Sequence, residues 1–182
     1  MEAIHVFELI LRNAIDRELR TWNQSMAGTP DWLLRPHPYL LRALNQTELS
    51  KAATRARWIA AEHGRPVGHD DVLAQMSLGA WRYILPSKAN KSKQKLWTVA
   101  IKNAFPAWPG DWSAESVVSR VANVHGLRNR VAHLEPLHGY DLRRVRRDMR
   151  SVCHAIGPDA ARFFVQIERL LPVIESNPAS HR

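Results

Sequence analysis

The chain has one cysteine, Cys153, in 182 residues. A lone thiol closes no internal disulfide and builds no Cys-rich zinc site, which fits a reducing compartment. No apolar run approaches the ~18 residues needed to span a bilayer. Met1-Glu2-Ala3-Ile4-His5 has neither the basic stretch nor the apolar core of a secretion signal. A soluble, cytoplasmic protein is expected, with no membrane partner. There is no Gly-rich phosphate loop, no His-Glu-x-x-His pair, no clustered Asp triplet and no recognisable Ser or Cys nucleophile arrangement. His125, His133 and His138 lack acidic or thiol co-ligands, so they are weak metal candidates and no cofactor is expected. Acids are scarce beside bases: 17 Asp and Glu against 26 Lys and Arg leave a net charge of +9. That balance favours a polyanionic partner, nucleic acid first and an acidic protein or anionic surface second.

Apolar residues make up 45% of the chain, enough for a real core, and seven tryptophans are available as core or interface anchors. No strand pair, internal repeat or low-complexity tract is visible. Apolar spacing instead predicts an all-α bundle with short extra helices. It places a helix over 2–22, apolar nearly all round, as for one buried on several sides or at a subunit interface. A Pro-rich loop over 28–38 and a short helical turn over 39–44 follow. A helix over 47–63 ends at Gly64. The next, over about 70–85, is capped by Asp70 or Asp71, with Gly79 in its middle. Pro86 to Lys95 reads as a basic loop, either solvated or touching phosphates. Helices over 94–104, over 114–133 with Ser113 and Ser116 as cap, from Asp141 onward, and over 159–175 complete the chain. One domain over 1–175 and a frayed tail over 176–182 are expected.

One stretch concentrates chemistry: Leu127-Arg128-Asn129-Arg130-Val131-Ala132-His133-Leu134-Glu135-Pro136. It holds two cations, an amide, an imidazole and a carboxylate. Asn129 and His133 are four apart, neighbours on one helix face. Arg128 continues the apolar series Val117, Val121, Val124, so a guanidinium falls on a stripe that should face the core. Such a charge must be paired or reach water. It is either a structural cation or an active-site one. Glu8 and Arg12 are also four apart, with Asn13 adjacent. They form a surface pair, or Glu8 bonds a buried cation for which Arg128 is the candidate. Farther on, Arg143, Arg147 and Arg150 share a helix face opposite Val145, Met149, Val152 and Ile156, and are candidates for holding RNA phosphates.

RNA cleavage needs little more than such residues. The 2′-hydroxyl attacks the adjacent phosphate without a metal. An enzyme must remove that proton, protonate the leaving oxygen and stabilise the phosphorane-like charge. Imidazole suits the first two tasks near neutral pH, and guanidinium the third. One chain offers one such His. A two-fold dimer would bring two His and two Arg into one cleft.

Arg128-Asn129, three residues, then His133 resembles the motif of the HEPN superfamily of nucleotide- and RNA-acting helical domains. In order, Leu11-Arg12-Asn13-Ala14-Ile15-Asp16, Met76-Ser77-Leu78-Gly79-Ala80-Trp81 and Leu127 to Pro136 are similar to the three blocks of the Abi-like (abortive infection) family. The resemblance covers roughly residues 4–165. It implies a HEPN-like helical bundle, a homodimer, and a metal-independent endoribonuclease acting as a toxin or phage-defence effector, with an antitoxin protein as a possible further partner. Carried over by position, Arg128 and His133 are catalytic and Asn129 orients them or binds phosphate. Glu8, Arg12, Asn13, Arg130 and Glu135 are supporting. There are departures. Leu134 stands where a second His is expected. Position 135 is Glu rather than Tyr, so the subgroup silenced by nucleotide transfer to a Tyr is not supported. Longer members carry a segment ahead of the first block. Two other readings of the same residues are a non-catalytic RNA-binding module and a scaffolding bundle whose basic face meets an acidic partner.

Overall fold

A computed structural model describes residues 2–137 and 139–169. The fold is all-α. The described residues form nine α-helices and one 3-10 turn, with no strand and an isolated bridge between Ser87 and Asn90. In order these are α1 (Glu2–Ala27), α2 (Pro38–Ala43), α3 (Gln46–Glu62), α4 (His69–Ala74), α5 (Leu78–Ile84), α6 (Lys91–Val99), the 3-10 turn (Ile101–Ala104), α7 (Ala114–Ala132), α8 (Leu142–Ile156) and α9 (Pro158–Ile167). Contacts divide the chain into two units. One holds the residues up to Ala14 and those from Phe105 onward; the other is Ile15–Ala104.

In the first unit α8 packs along both α7 and α9. Val117, Val121, Val124 and Leu127 on α7 are buried, as are Val145, Met149, Val152 and Cys153 on α8. Their three- and four-residue spacing sets one apolar stripe per helix. Asp141 caps α8 by accepting the Arg144 N–H at 2.8 Å. Arg146 leaves the solvent face to donate from Nε to Glu168 at 2.7 Å, a carboxylate only 2% exposed. This pair coincides with the end of α9. The helix stops at Ile167 and Glu168 is extended, so the helix expected over 159–175 is shorter. Positions 170–175, the tail 176–182 and His138 lie outside the described residues. Cys153 is fully buried, which pushes its thiol up to about 12. The native protein should therefore resist iodoacetamide at mildly alkaline pH and label only after denaturation. Stoichiometric labelling of the folded chain would contradict that burial.

In the second unit α3 packs on α4, and α2 on α6. The buried stripe of α3 is Ala52, Ala53, Ala56 and Ala60, small residues that allow close approach. The expected helix over 70–85 is two helices. Gln75 ends α4, and Ser77, with extended backbone, starts α5. The apolar spacing had bridged the break because Met76 and Leu78 are both buried although they serve different segments. The cap of α4 is Gly68 rather than Asp70 or Asp71. Asp71 accepts the Gly68 N–H at 2.7 Å and both Arg65 Nη atoms at 2.6 Å. The Arg65 hydrogen bonds, and then that of Gly68, hold the Asp71 carboxyl well below the usual range. Gly79 falls in the first turn of α5, not mid-helix. The basic loop ends early: Asn90 caps α6 through the Lys93 N–H, so Lys91, Lys93 and Lys95 are helical. α1 runs on to Ala27 because Asn23, fully buried, binds the loop behind it. Its amide donates to the Thr29 and Arg35 carbonyls at 2.8 and 3.1 Å and accepts the His37 N–H at 2.9 Å.

Candidate functional site

The Arg128–His133 stretch is the last turn of α7 and its exit. Leu127 takes the core position at 3% exposure, and Arg128 is half-buried beside it. The core-facing seat expected for Arg128 is thus filled by its apolar neighbour. Arg128 Nη1 donates to Asn129 Oδ1 at 3.4 Å. That is a long bond, so the guanidinium is oriented without being locked. His133 is the C-cap, one residue past the helix, and its imidazole is exposed. It meets Asn129 through the backbone, its N–H donating to the Asn129 carbonyl at 3.0 Å.

The exit of α7 is tightly built. The Leu134 N–H donates to the Val131 carbonyl at 3.2 Å and the Glu135 N–H to the Arg130 carbonyl at 2.8 Å. These two bonds define a Schellman closure, which requires a left-handed residue after the cap. α3 closes in the same way with Gly64 at φ 62, whereas α7 uses Leu134 at φ 55. A leucine there costs about 1–2 kcal/mol, and its side chain, 92% exposed, recovers no burial. Leu134→Gly should therefore stabilise the protein by about 0.5–1 kcal/mol, raising the thermal midpoint by roughly 1–4 °C. A lowered midpoint would refute the strain.

Arg130 and Glu135 lock the same exit. Arg130 Nε lies 3.5 Å from Glu135, and its guanidinium is 5.6 Å from the centre of the Tyr140 ring. The Tyr140 hydroxyl donates to the Asn123 carbonyl at 3.2 Å. A Cβ at Gly126 would come within 2.9 Å of that hydroxyl, so a glycine is what lets Tyr140 lie on α7. Arg130 is committed to structure, and Arg128 is the cation of the motif with reach to spare. On α1, within the same unit, Glu8 and Arg12 are half-buried and Asn13 is exposed. Glu8 is engaged in a polar interaction. Arg12 Nε donates to Asn13 Oδ1 at 3.3 Å. On α8, Arg143, Arg147 and Arg150 are exposed along one face, with no carboxylate partner among the described residues.

No protein-family model, curated protein or solved structure matches this chain. The meaning of the site rests on its own chemistry. Among the described residues no group of three His, Cys, Asp or Glu is placed to hold a metal. His125 is buried at 8% exposure, and His133, about two turns farther on, is exposed. Among the described residues no helix is long and apolar enough to cross a membrane.

The second unit holds a polar cluster that spacing alone did not reveal. Asp16 is 7% exposed. Its Oδ1 accepts the Trp32 indole N–H at 2.7 Å and lies 2.8 Å from His69 Nε2, while Oδ2 is 3.1 Å from Arg20 Nε. Trp32 packs edge-on to both His69 and Trp81. One carboxylate thus joins α1, the 28–38 loop and α4. Asp16 and Arg20, four apart on a greasy helix, were the available signal; Trp32 and His69 are too distant in the chain to show it.

Proposed function

We propose that this protein is a metal-independent endoribonuclease of HEPN type, active as a homodimer, serving as a toxin or defence effector. The observation that carries the reading is the exposed imidazole of His133 at the end of α7, five residues on from a half-buried Arg128 whose side-chain hydrogen bond among the described residues is to Asn129. His133 removes the 2′-hydroxyl proton as that oxygen attacks the adjacent phosphorus. An imidazolium, from the second copy, protonates the departing 5′-oxygen, leaving a 2′,3′-cyclic phosphate. Arg128 stabilises the extra charge on the phosphorane oxygens, and Asn129 sets its orientation. Glu8, Arg12 and Asn13 support the site, while Arg130 and Glu135 hold the backbone that presents His133. The test is RNA cleavage by purified wild type and His133→Ala in excess chelator, with the products examined for a cyclic phosphate.

A second reading, an RNA-binding module without catalysis, is favoured by the row Arg143, Arg147 and Arg150. Three exposed guanidiniums with no carboxylate partner among the described residues suit a phosphate backbone. That reading expects salt-sensitive binding that survives His133→Ala, and no cleavage by wild type.

A further inference from the structure

The arginine row of α8 does not stop at Arg150. The next position on that face is His154, also exposed, and the two line a cleft of about 400 Å³ with Ser151 between them. Arg120 of α7, Pro109 and Trp112 of the preceding loop, and Ala161 and Val165 of α9 complete its walls. All belong to the first unit. We propose that this cleft binds one nucleoside phosphate unit, at a place separate from Arg128 and His133. The inference goes beyond the cleavage reading and does not depend on it.

The lining is divided in a way that suits this ligand. Pro109, Trp112, Ala161 and Val165 make an apolar side on which a base can lie. Arg120 and Arg150 make a cationic side, and His154 and Ser151 offer hydrogen-bonding groups; among the described residues no carboxylate lines the cleft. The volume falls in the range of small-molecule sites. The walls are also fixed in advance. The Ala107 N–H donates to the Ala155 carbonyl at 2.9 Å, tying the loop to the end of α8. Trp108 Nε1 donates to the Trp112 carbonyl at 2.9 Å. The Arg120 guanidinium stacks 4.1 Å from the Trp112 ring centre, and its Nη1 donates to the Ser116 carbonyl at 2.8 Å.

The cations are not equivalent. Arg120 is partly neutralised, its Nε 3.8 Å from an Asp148 that also accepts from Asn123 at 2.8 Å. Asp159 near the start of α9 is taken by Arg162. Arg150 and His154 have no carboxylate partner among the described residues, and they stand four apart on one helix face. The last turn of α8 is the negative end of that helix. A phosphate there must be held by side chains rather than by backbone, which puts the affinity on Arg150.

Titration calorimetry of the full chain with adenosine monophosphate tests the assignment, with inorganic phosphate and adenosine as separate probes. The nucleotide should bind at least about ten-fold more tightly than either half alone. Arg150→Ala should weaken it at least about ten-fold, as expected for losing a charge-assisted bond. Ser151→Asp, which puts a negative charge into the cleft, should abolish it. His133→Ala should leave nucleotide binding unchanged while removing cleavage, so failure of one reading is distinguishable from failure of the other. Absence of nucleotide binding would overturn the proposal. So would equal affinity for inorganic phosphate, or wild-type affinity in an Arg150→Ala protein whose melting curve is normal. A short oligoribonucleotide separates the sources. Competition with the mononucleotide identifies the ligand as a residue of a strand; lack of competition identifies the free nucleotide. Either outcome supports a nucleoside phosphate site.

Discussion

Asp16→Ala is expected to destabilise the protein by about 3–5 kcal/mol, the cost of removing one partner from a buried charged network. The carboxylate is 7% exposed and serves three groups at once. Without it the Trp32 indole N–H and His69 Nε2 have no acceptor in a region that excludes water. Arg20 suffers less, because it is partly exposed and also reaches Asp70 at 2.8 Å. Asp16→Asn should cost about 1–2 kcal/mol, since an amide oxygen still accepts from Trp32 but its NH₂ faces Arg20. Denaturant unfolding of the three proteins measures both differences. A loss below about 1 kcal/mol for Asp16→Ala would mean that the cluster is not the keystone of its unit.

For His133→Ala the expected loss of RNA cleavage is about 10²–10⁴-fold, the usual contribution of a positioned acid or base. Arg128→Ala should cost about 10²–10³-fold, as for removal of one stabilising donor. Neither should unfold the protein, because the imidazole is exposed and Arg128, among the described residues, makes a single long side-chain hydrogen bond, to its neighbour. Arg130→Ala is different. It breaks the contacts to Glu135 and Tyr140, so its effect should appear first in stability and only through that in activity. Initial-rate assays on a defined RNA, with melting curves in parallel, separate these cases. Full activity in His133→Ala would remove the catalytic role of His133, whereas no cleavage by wild type, with salt-sensitive RNA binding, would leave the RNA-binding reading.

Much of the fold was legible because apolar spacing and caps are local properties. Asp141, Ser113 and Asn45 start their helices as their side chains suggest. Gly64 ends α3 for the same reason. Where the sequence misled, the deciding interaction was distant or degenerate. The helix expected over 2–22 runs on to Ala27, because the three bonds of Asn23 to residues 29–37 keep it going. After Val124 the apolar stripe could continue at either 127 or 128, since both lie near one turn ahead. Burial selected the leucine, and the arginine moved to the edge. The residues of the candidate site were visible in the sequence, but their division of labour was not. The contacts that commit Arg130 and leave Arg128 available depend on Tyr140, ten residues away across the exit of α7.

The buried Cys153 has a practical consequence. With its thiol buried in the core of the first unit, the native chain carries no competing reactive sulfur. A cysteine placed at Leu134, 92% exposed and one residue from His133, would be the sole labelling position without any background substitution. A spin label or fluorophore there would report the separation between two copies of the α7 exit. That distance is the quantity on which a shared two-histidine cleft stands or falls.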